Sequence, residues 1–557
     1  SIDETRQIET VDCVSEKLPE MASVTPFTTI GTVLPTDVTS GRWSHRPTGT
    51  VPPTDDRMYC NNRRKMDFIS YETESKMFAY LREIGCCTSC CLRFVGTRSL
   101  ETFREPADSA VKLKYVAEGE KIVDDDASPC TACLGILQEV TAIEEGAYDD
   151  SNFNCALTLP VCLALRERSV QTALSVHFQL SNTQQTSLRL RTQNIKEIWK
   201  TKVLGQVEKV VGKHLLAAPN PSPLLVEISF TYKNDNSETA SLPNGKKNQS
   251  PKFSRKTMEN TLLGMTNDAF QECYKSPPAR PENFVVVEKA TCVHASIFIG
   301  GRYAKFSREL SQTPWFINGE KKMETSVQDL ICGPMIKLTK ADSVKFLSSG
   351  REDVDVRSIR SGRPFAVELV NPKNTIISAE QLDDIVTEIN DETDLVKITV
   401  KLKVLNTLDL KKLKEGENEK TKVYRALCTL KNASRELVKL DKLKDMKDVE
   451  IVQKTPMRVL HRRPLMPRVR VIHAMRSRWL RDEELVKIRE RAAKSGASDT
   501  SHIDDLFVLD VKTQAGTYVK EFVHGDFGRT KPSLCDILGA DFDIVALDVT
   551  AINLEWP

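Results

Sequence analysis

Two Cys-x-x-Cys pairs, Cys87-Thr88-Ser89-Cys90 and Cys130-Thr131-Ala132-Cys133, restrict this chain more than any other feature in it. Each tight turn presents two sulfurs to one side, and two such knuckles can close four thiolates tetrahedrally around Zn²⁺. Because the pairs lie far apart, a shared ion would tie together segments distant in sequence. Four thiolates leave the ion no open position, so its role would be structural. The plainer alternative is a set of buried thiols, since free cysteine packs as a small hydrophobe. The chain has 15 cysteines and no secretory segment is expected for it, a combination that fits a reducing compartment better than a disulfide framework. Nucleus and cytoplasm are the expected locations, with a mitochondrial pool left open.

A chain of 557 residues, 40% hydrophobic and 28% charged, can bury two or three cores. No apolar run approaches a membrane span, so no membrane role is expected. Residues 1–75 are rich in Thr, Pro, Ser and Asp with few periodic apolar positions, and are expected to form a disordered extension. Order is expected to set in near Ile69, with a short helix carrying Phe78, Leu81 and Ile84 towards the cysteines. Pro277, Pro278 and Pro281 mark a boundary, which divides the rest into an accessory domain over 76–283 and a second domain over 284–557. The formal net charge of +2 gives no sign of nucleic acid, so any RNA affinity would come from local basic faces.

Within 76–283, Ile195, Ile198, Trp199, Val203, Val207, Val210, Val211 and Leu215 recur at helical spacing. Lys196, Lys200, Lys202, Lys209 and Lys213 fall on the other faces, which predicts an amphipathic helix with a basic surface, either solvated or turned to RNA. Leu224, Val226, Ile228, Phe230 and Tyr232 alternate strictly, as a half-buried strand does. Further on, Cys292–Ile299 reads as an apolar strand, and Leu395–Leu405 as a strand with a lysine ladder on one face.

Three carboxylates and two arginines crowd into Gly350-Arg351-Glu352-Asp353-Val354-Asp355-Val356-Arg357, followed by Gly362-Arg363-Pro364, which reads as a turn entering an extended apolar run. A carboxylate held among cations keeps its charge even where a substrate excludes water, because the opposite charge stabilises the ionised form. That suits a nucleophile or a base; the bland alternative is a solvated charged loop. Upstream, Arg302-Tyr303-Ala304-Lys305-Phe306-Ser307-Arg308 and Gln312-Thr313-Pro314-Trp315 interleave cations with aromatics. They suit phosphate and base contacts, or else make Tyr303 and Trp315 core anchors.

The Gly-Arg-Glu-Asp-Val-Asp-Val-Arg string resembles the catalytic loop of the archaeal and eukaryotic tRNA pseudouridine synthase family that modifies the TΨC arm, the tenth in the eukaryotic naming series. It is more distantly similar to the Gly-Arg-Thr-Asp-x-Gly-Val loop of other pseudouridine synthases. The resemblance runs from about residue 76 to 557. It is densest around Asp353, around Lys422-Val423-Tyr424-Arg425-Ala426-Leu427-Cys428, and around Gly516-Thr517-Tyr518-Val519-Lys520.

The resemblance implies an α+β fold, with a catalytic domain on a mixed central sheet and an N-terminal, zinc-bearing accessory domain containing a THUMP-like module. The family's nucleophile falls on Asp353; Asp355 occupies the second position, and sequence logic alone leaves the choice between them open. Tyr424 matches the active-site tyrosine, placed to stack on a freed uracil, and Lys520 the cation that pairs with the aspartate. Cys87, Cys90, Cys130 and Cys133 match the zinc ligands, with Cys86 and Cys91 extra. Arg351 is expected to contact RNA, together with Arg357, Arg302, Lys305, Arg308 and Arg425. Residues 476–501 are an insertion relative to the family, in which Leu480, Leu485, Ile488 and Ala492 suggest a surface helix dispensable for chemistry. The implied activity is isomerisation of uridine to pseudouridine at adjacent uridines of the TΨC arm, by a monomer with structural zinc and no catalytic cofactor. The implied partners are tRNA and other structured RNA. The rival reading is a non-catalytic adaptor that binds structured RNA with the same accessory domain.

Overall fold

The computed structural model describes residues 69–557 except 121, 123, 125, 126, 138–147, 217–219, 241, 243–253 and 495–502. Most of the expected N-terminal extension therefore lies outside the described residues. Its end does not: the helix Tyr71–Glu83 starts before residue 76, capped by the Ser70 side chain on the Thr73 amide, and buries Met77, Phe78 and Leu81.

The first sheet contains β1 (Asn152–Thr158), β2 (His214–Leu215), β3 (Leu224–Thr231) and β4 (Val286–His294), in the order β2-β1-β3-β4. β1 runs parallel to β2 and β3, whereas β4 is antiparallel to β3. The alternation in β3 buries Leu224, Val226, Ile228 and Phe230. The apolar stripe of the helix Ile195–Val211 meets them, with Trp199 edge-on to Phe230 at 5.9 Å. This helix opens on an Asn194 cap and closes at Gly212, in the left-handed region at φ 67°. β4 carries the first sheet past residue 283, so the three prolines do not end it. The run expected as one strand over Cys292–Ile299 is split at Ala295-Ser296, because its two ends pair in different sheets.

The second sheet begins with β5 (Ile297–Lys305). A small separate hairpin follows, β6 (Phe316–Ile317) and β7 (Glu320–Lys321), then β8 (Ser343–Ser348), β9 (Val356–Val370), β10 (Val396–Ile398) and β11 (Lys403–Val404). The chain completes it with β12 (Thr421–Lys431), β13 (Lys447–Gln453), β14 (Arg468–Trp479), β15 (Leu506–Gln514), β16 (Thr530–Lys531) and β17 (Asp541–Asn553). The order is β10-β5-β9-β17-β12-β15-β14-β13-β16, with β11 on β5 and β8 on β9. Every pair is antiparallel except β9 with β17, where Val356, Arg357 and Ser358 lie opposite Leu547, Asp548 and Val549. The sheet is thus mixed, and its parallel pair sits where the charged loop feeds β9.

Two expectations change here. Gly362-Arg363-Pro364 is not a turn but part of a bulge within β9, with Arg360 at φ 61° and Gly362 at φ 70°. Across the bulge β9 passes from β17 to β5, and a Cβ on Gly362 would stand 2.7 Å from the Tyr303 carbonyl. The expected lysine-ladder strand over Leu395–Leu405 is broken into β10 and β11, between which the Thr399 amide bonds to the Arg302 carbonyl.

Helices Val327–Thr339 and Ala379–Glu392 cover one half of the sheet through Ile331, Met335, Leu382, Ile385 and Ile389. Helix Val519–His524 covers the other half, where Phe522 and Val523 share a core with Tyr424, Phe507 and Val549. The stretch expected as a dispensable insertion begins inside β14. Its helix Asp482–Lys494 packs Leu485 and Ile488 against Leu427 and Leu506, so it belongs to the sheet's packing. Among the described residues no helix is long and apolar enough to cross a membrane.

Candidate active site

The loop Ser349–Asp355 enters the middle of the second sheet and borders a cleft of about 1340 Å³. The cleft wall carries nine Lys and Arg side chains against two carboxylates, Glu352 and Asp353, so it favours a polyanion. Its apolar parts come from Val356, Leu547, Val549 and Tyr424.

Neighbouring carboxylates in the loop take opposite directions. Glu352 points inward: its Oε2 meets Arg363 Nε at 2.5 Å and its Oε1 accepts a 2.7 Å hydrogen bond from the Tyr303 hydroxyl, which in turn accepts one from Gln312 at 2.8 Å. Asp353 points outward, with 37% of its side chain exposed, and its Oδ2 lies 2.8 Å from Arg458 Nη1. Arg458 also donates to Glu521 at 2.6 Å, a carboxylate that is almost fully buried. The alternation follows from the buried Arg363, which requires a partner beneath the loop and takes Glu352.

The loop backbone is held from below by cations. Lys305 Nζ donates to the carbonyls of Leu310 at 2.8 Å, Val354 at 2.7 Å and Asp353 at 3.2 Å. Burial pushes this ammonium down to about 8, with Glu352 and Asp355 opposing the shift. Arg363 donates to the Ser349 carbonyl at 2.9 Å, and Lys420 to the Ser349 hydroxyl at 2.6 Å. Arg308 bonds the carbonyls of Asp355 and Leu547, both at 2.9 Å, and reaches Asp548 Oδ1 at 2.7 Å.

Lys520 departs from its expected pairing. It stands in helix Val519–His524 and bonds Asp355 Oδ2, not Asp353. Burial works against the Asp355 charge, but the Lys520 ammonium outweighs it and holds the carboxyl below its usual range. The cation at Asp353 is Arg458, which sequence reading missed; its signal is the basic string Arg458-Val459-Leu460-His461-Arg462-Arg463. Asp353 lines the cleft, whereas Asp355 is not among the lining residues. Gln453 clamps the turn that delivers Lys520, accepting from the Tyr518 amide and donating to its carbonyl, each at 2.9 Å.

Tyr424 lies in β12, between β15 and β17, and its ring forms part of the cleft wall. Burial pushes its phenol up to about 12, with Arg363 opposing and Asp353 reinforcing the shift.

Of the six residues expected to contact RNA, Arg351 alone is exposed on the cleft. The others serve the fold, because interior carbonyls and carboxylates take up their donors. Arg302 bonds the carbonyls of Ser361, Gly362, Ile552, Leu554 and Trp556. Arg357 forms a bidentate pair with Asp548, and Arg425 with Asp510. Lys305 and Arg308 hold the loop as described. The exposed cations of the cleft include instead Lys414, Arg458 and Arg463, with Arg470 half-buried beside them and Lys420 and Lys422 buried in its wall, all scattered through the sequence.

In the first half, the sulfurs of Cys87, Cys90, Cys130 and Cys133 lie within 4.8 Å of one another and all four residues are buried. A tetrahedral Zn–S bond of about 2.3 Å separates thiolates by about 3.8 Å; the Cys87 and Cys133 sulfurs are 3.8 Å apart. Cys130 Sγ accepts from the amides of Cys87 at 3.3 Å and Ala132 at 3.4 Å, as a metal-bound thiolate would. The donor set fits a closed metal site.

Comparison with known proteins bears on both halves. Residues 298–553 match the family described as Pus10, C-terminal, and residues 130–292 the one described as Eukaryotic Pus10, N-terminal. The protein named tRNA pseudouridine synthase Pus10 of Mus musculus is 34% identical over 467 residues, covering 79% of this chain and 83% of the relative. The like-named protein of Archaeoglobus fulgidus is 34% identical over 270 residues, covering 46% of this chain and 67% of its own. Among solved structures, a Cbf5-Nop10-Gar1 complex aligns at 14% identity and a TM-score of 0.23, over 45% of this chain and 48% of its own, a likeness too slight to argue from. On the similarity to its full-length relatives, this chain belongs to the Pus10 family.

Proposed function

We propose that the protein is a tRNA pseudouridine synthase that isomerises uridine in the TΨC arm, with Asp353 as the reacting carboxylate. The observation that carries this reading is a half-exposed Asp353 in a cation-lined cleft beside Tyr424, in a chain of the Pus10 family. The glycosidic C1′–N1 bond must break, the uracil must turn, and C1′ must join C5. The C5 proton leaves and N1 gains one, so the product is an isomer and no redox partner is consumed. The base has to leave its stack to reach such a cleft. Asp353 starts the reaction, either by attacking C1′ or by taking the 2′ proton to form a glycal. Arg458 pairs with Asp353 and orients it, and Lys520 pairs with Asp355 two residues on. Tyr424, on the cleft wall beside Asp353, is placed to stack on the freed uracil.

The cationic wall, with Arg351 at its edge, supplies phosphate contacts. The first half, up to about His294, is read as an accessory RNA-binding region of THUMP-like type, supported by its mixed sheet and basic helix. Its four cysteines would hold a structural zinc, and no chemical step passes through them.

The test is tritium release from uracil-C5-labelled tRNA, run beside filter binding. Wild type should release tritium. Asp353→Ala should bind tRNA at near wild-type strength and release none, since phosphate contacts come from other residues. A wild type that binds tRNA yet releases no tritium from any tRNA would establish the adaptor instead.

A further inference from the structure

Beyond the cleft, the turn after helix Val519–His524 displays an aromatic ring to solvent. Phe527 is 94% exposed, more than any other large apolar side chain among the described residues. The turn is not loose. Asp526, Phe527 and Gly528 take φ values of 48°, 56° and 77° in succession, a left-handed run that is sterically costly for a bulky L residue.

The turn is nevertheless tied down on both sides. Asp526 is buried; its amide donates to His524 Nδ1 at 3.1 Å and its Oδ2 accepts from the Met457 amide at 3.3 Å. The Arg529 guanidinium donates to the Thr455 carbonyl at 2.6 Å, and the Lys454 amide to the Arg529 carbonyl at 2.9 Å. A strained, well-anchored turn that buries its aspartate and exposes its phenylalanine presents the ring outward. Strain of this kind persists where the surroundings enforce it, and it marks sites of function.

Two features indicate what the ring meets. Two exposed lysines border the turn: the Lys454 amide bonds the Arg529 carbonyl, and a Cβ on Gly528 would stand 3.7 Å from Lys531 Cε. The turn is also joined to the cleft: its helix carries Lys520, about 6 Å from His524 at 1.5 Å per residue, and Met457 precedes Arg458. Aromatic rings set between phosphate-binding cations are how proteins hold unpaired bases.

We propose that Phe527 is a stacking platform for an unpaired base of the RNA whose target uridine occupies the cleft. This rests on the tRNA reading of the cleft. The ring touches no reacting atom; it adds affinity and fixes where the arm lies.

The experiment uses the full chain and an unmodified tRNA transcript, with filter binding, single-turnover tritium release and thermal melting for Phe527→Ala, Phe527→Gly and Phe527→Trp. The Ala and Gly variants should weaken tRNA binding about tenfold, with the rate at saturating tRNA within about twofold of wild type, and Trp should restore the affinity. Phe527→Gly should melt no lower than wild type, because glycine relieves the left-handed strain; this separates lost stacking from lost fold. If wild type binds tRNA without releasing tritium but the Ala variant still loses affinity, the stacking role stands and the proposed activity fails. Ala and Gly variants that bind tRNA as wild type does would overturn the inference and leave the ring to a protein partner.

Discussion

Two carboxylates two residues apart, Asp353 and Asp355, each have their own cation, and the pairing decides which of them the reaction uses. Asp355 is held below the ordinary carboxylate range by Lys520 despite its burial. A depressed carboxyl contributes stability that is complete above its unfolded value of about 3.9 and is lost as pH falls through the lower folded value. Near neutral pH the pair is therefore intact. Lys520→Met removes the main countercharge and leaves burial opposed only by the local backbone amide and the more distant Arg458, so the Asp355 carboxyl rises. If Asp353 is the reacting group, Lys520→Met should lower the rate with the acidic limb of turnover in place, and Arg458→Gln should lower it further by removing the ion pair at the reacting carboxylate. An acidic limb that moves up in Lys520→Met would transfer the chemistry to Asp355. Arg458→Gln should also cost about 1–3 kcal/mol of stability, measured by denaturant unfolding, because it strips a partner from the buried Glu521.

The catalytic loop is positioned by the elements around it. β5 supplies Tyr303 and Lys305, and β9 supplies Arg363; together they fasten the loop from beneath. The bulge at Gly362 lets β9 leave β17 for β5, so one strand spans both halves of the sheet. In the first half, the four sulfurs join the helix Thr88–Val95 to the turn after Cys130, beside a shared core of Leu92, Phe94, Leu134 and Ile136. Replacing Cys130 and Cys133 by Ser should therefore abolish bound zinc by elemental analysis and lower the melting temperature of this half, leaving the second half folded. Wild-type protein that is fully folded and free of metal would show that the sulfurs are simply buried thiols.

The two sheets meet through a small polar joint. Asp149 Oδ2 accepts from the amides of Thr375 at 2.5 Å and Ile376 at 2.9 Å, and Asn371 Oδ1 accepts from the Tyr148 hydroxyl at 2.9 Å and the His294 amide at 2.8 Å. Burial disfavours the Asp149 charge, but these amides prevail and its carboxyl sits below the usual range. With a depressed folded value, the joint should hold from alkaline into mildly acidic pH and weaken only as pH falls through that value. Asp149→Ala should remove hydrogen-exchange protection from Thr375 and Ile376 while both cores keep theirs; unchanged protection at these amides would mean that other contacts make the joint. Across the molecule, positive charge collects in the cleft, so a net charge of +2 conceals a strongly basic surface.

Much that depends on near neighbours in the chain was legible in the sequence, although the turn expected at Gly362 and the unbroken strand expected over Leu395–Leu405 were not what formed. The stripe from Ile195 to Val211, the alternation from Leu224 to Phe230, the two cysteine knuckles and the charged loop at Asp353 all rest on spacings of two to four residues, where backbone geometry alone sets which side chains share a face. Resemblance added the roles of Asp353, Tyr424 and Lys520. The outcome for each charge was not legible. Arg302 ends on carbonyls at 552, 554 and 556, Arg308 on Leu547 and Asp548, and Arg357 on that same aspartate. Those acceptors come from the far end of the chain, and no local pattern distinguishes an arginine that will meet them from one left for phosphate. The same holds for the carboxylates: Glu352 turns inward and Asp353 outward because Arg363 is buried beneath the loop, and only long-range packing put it there.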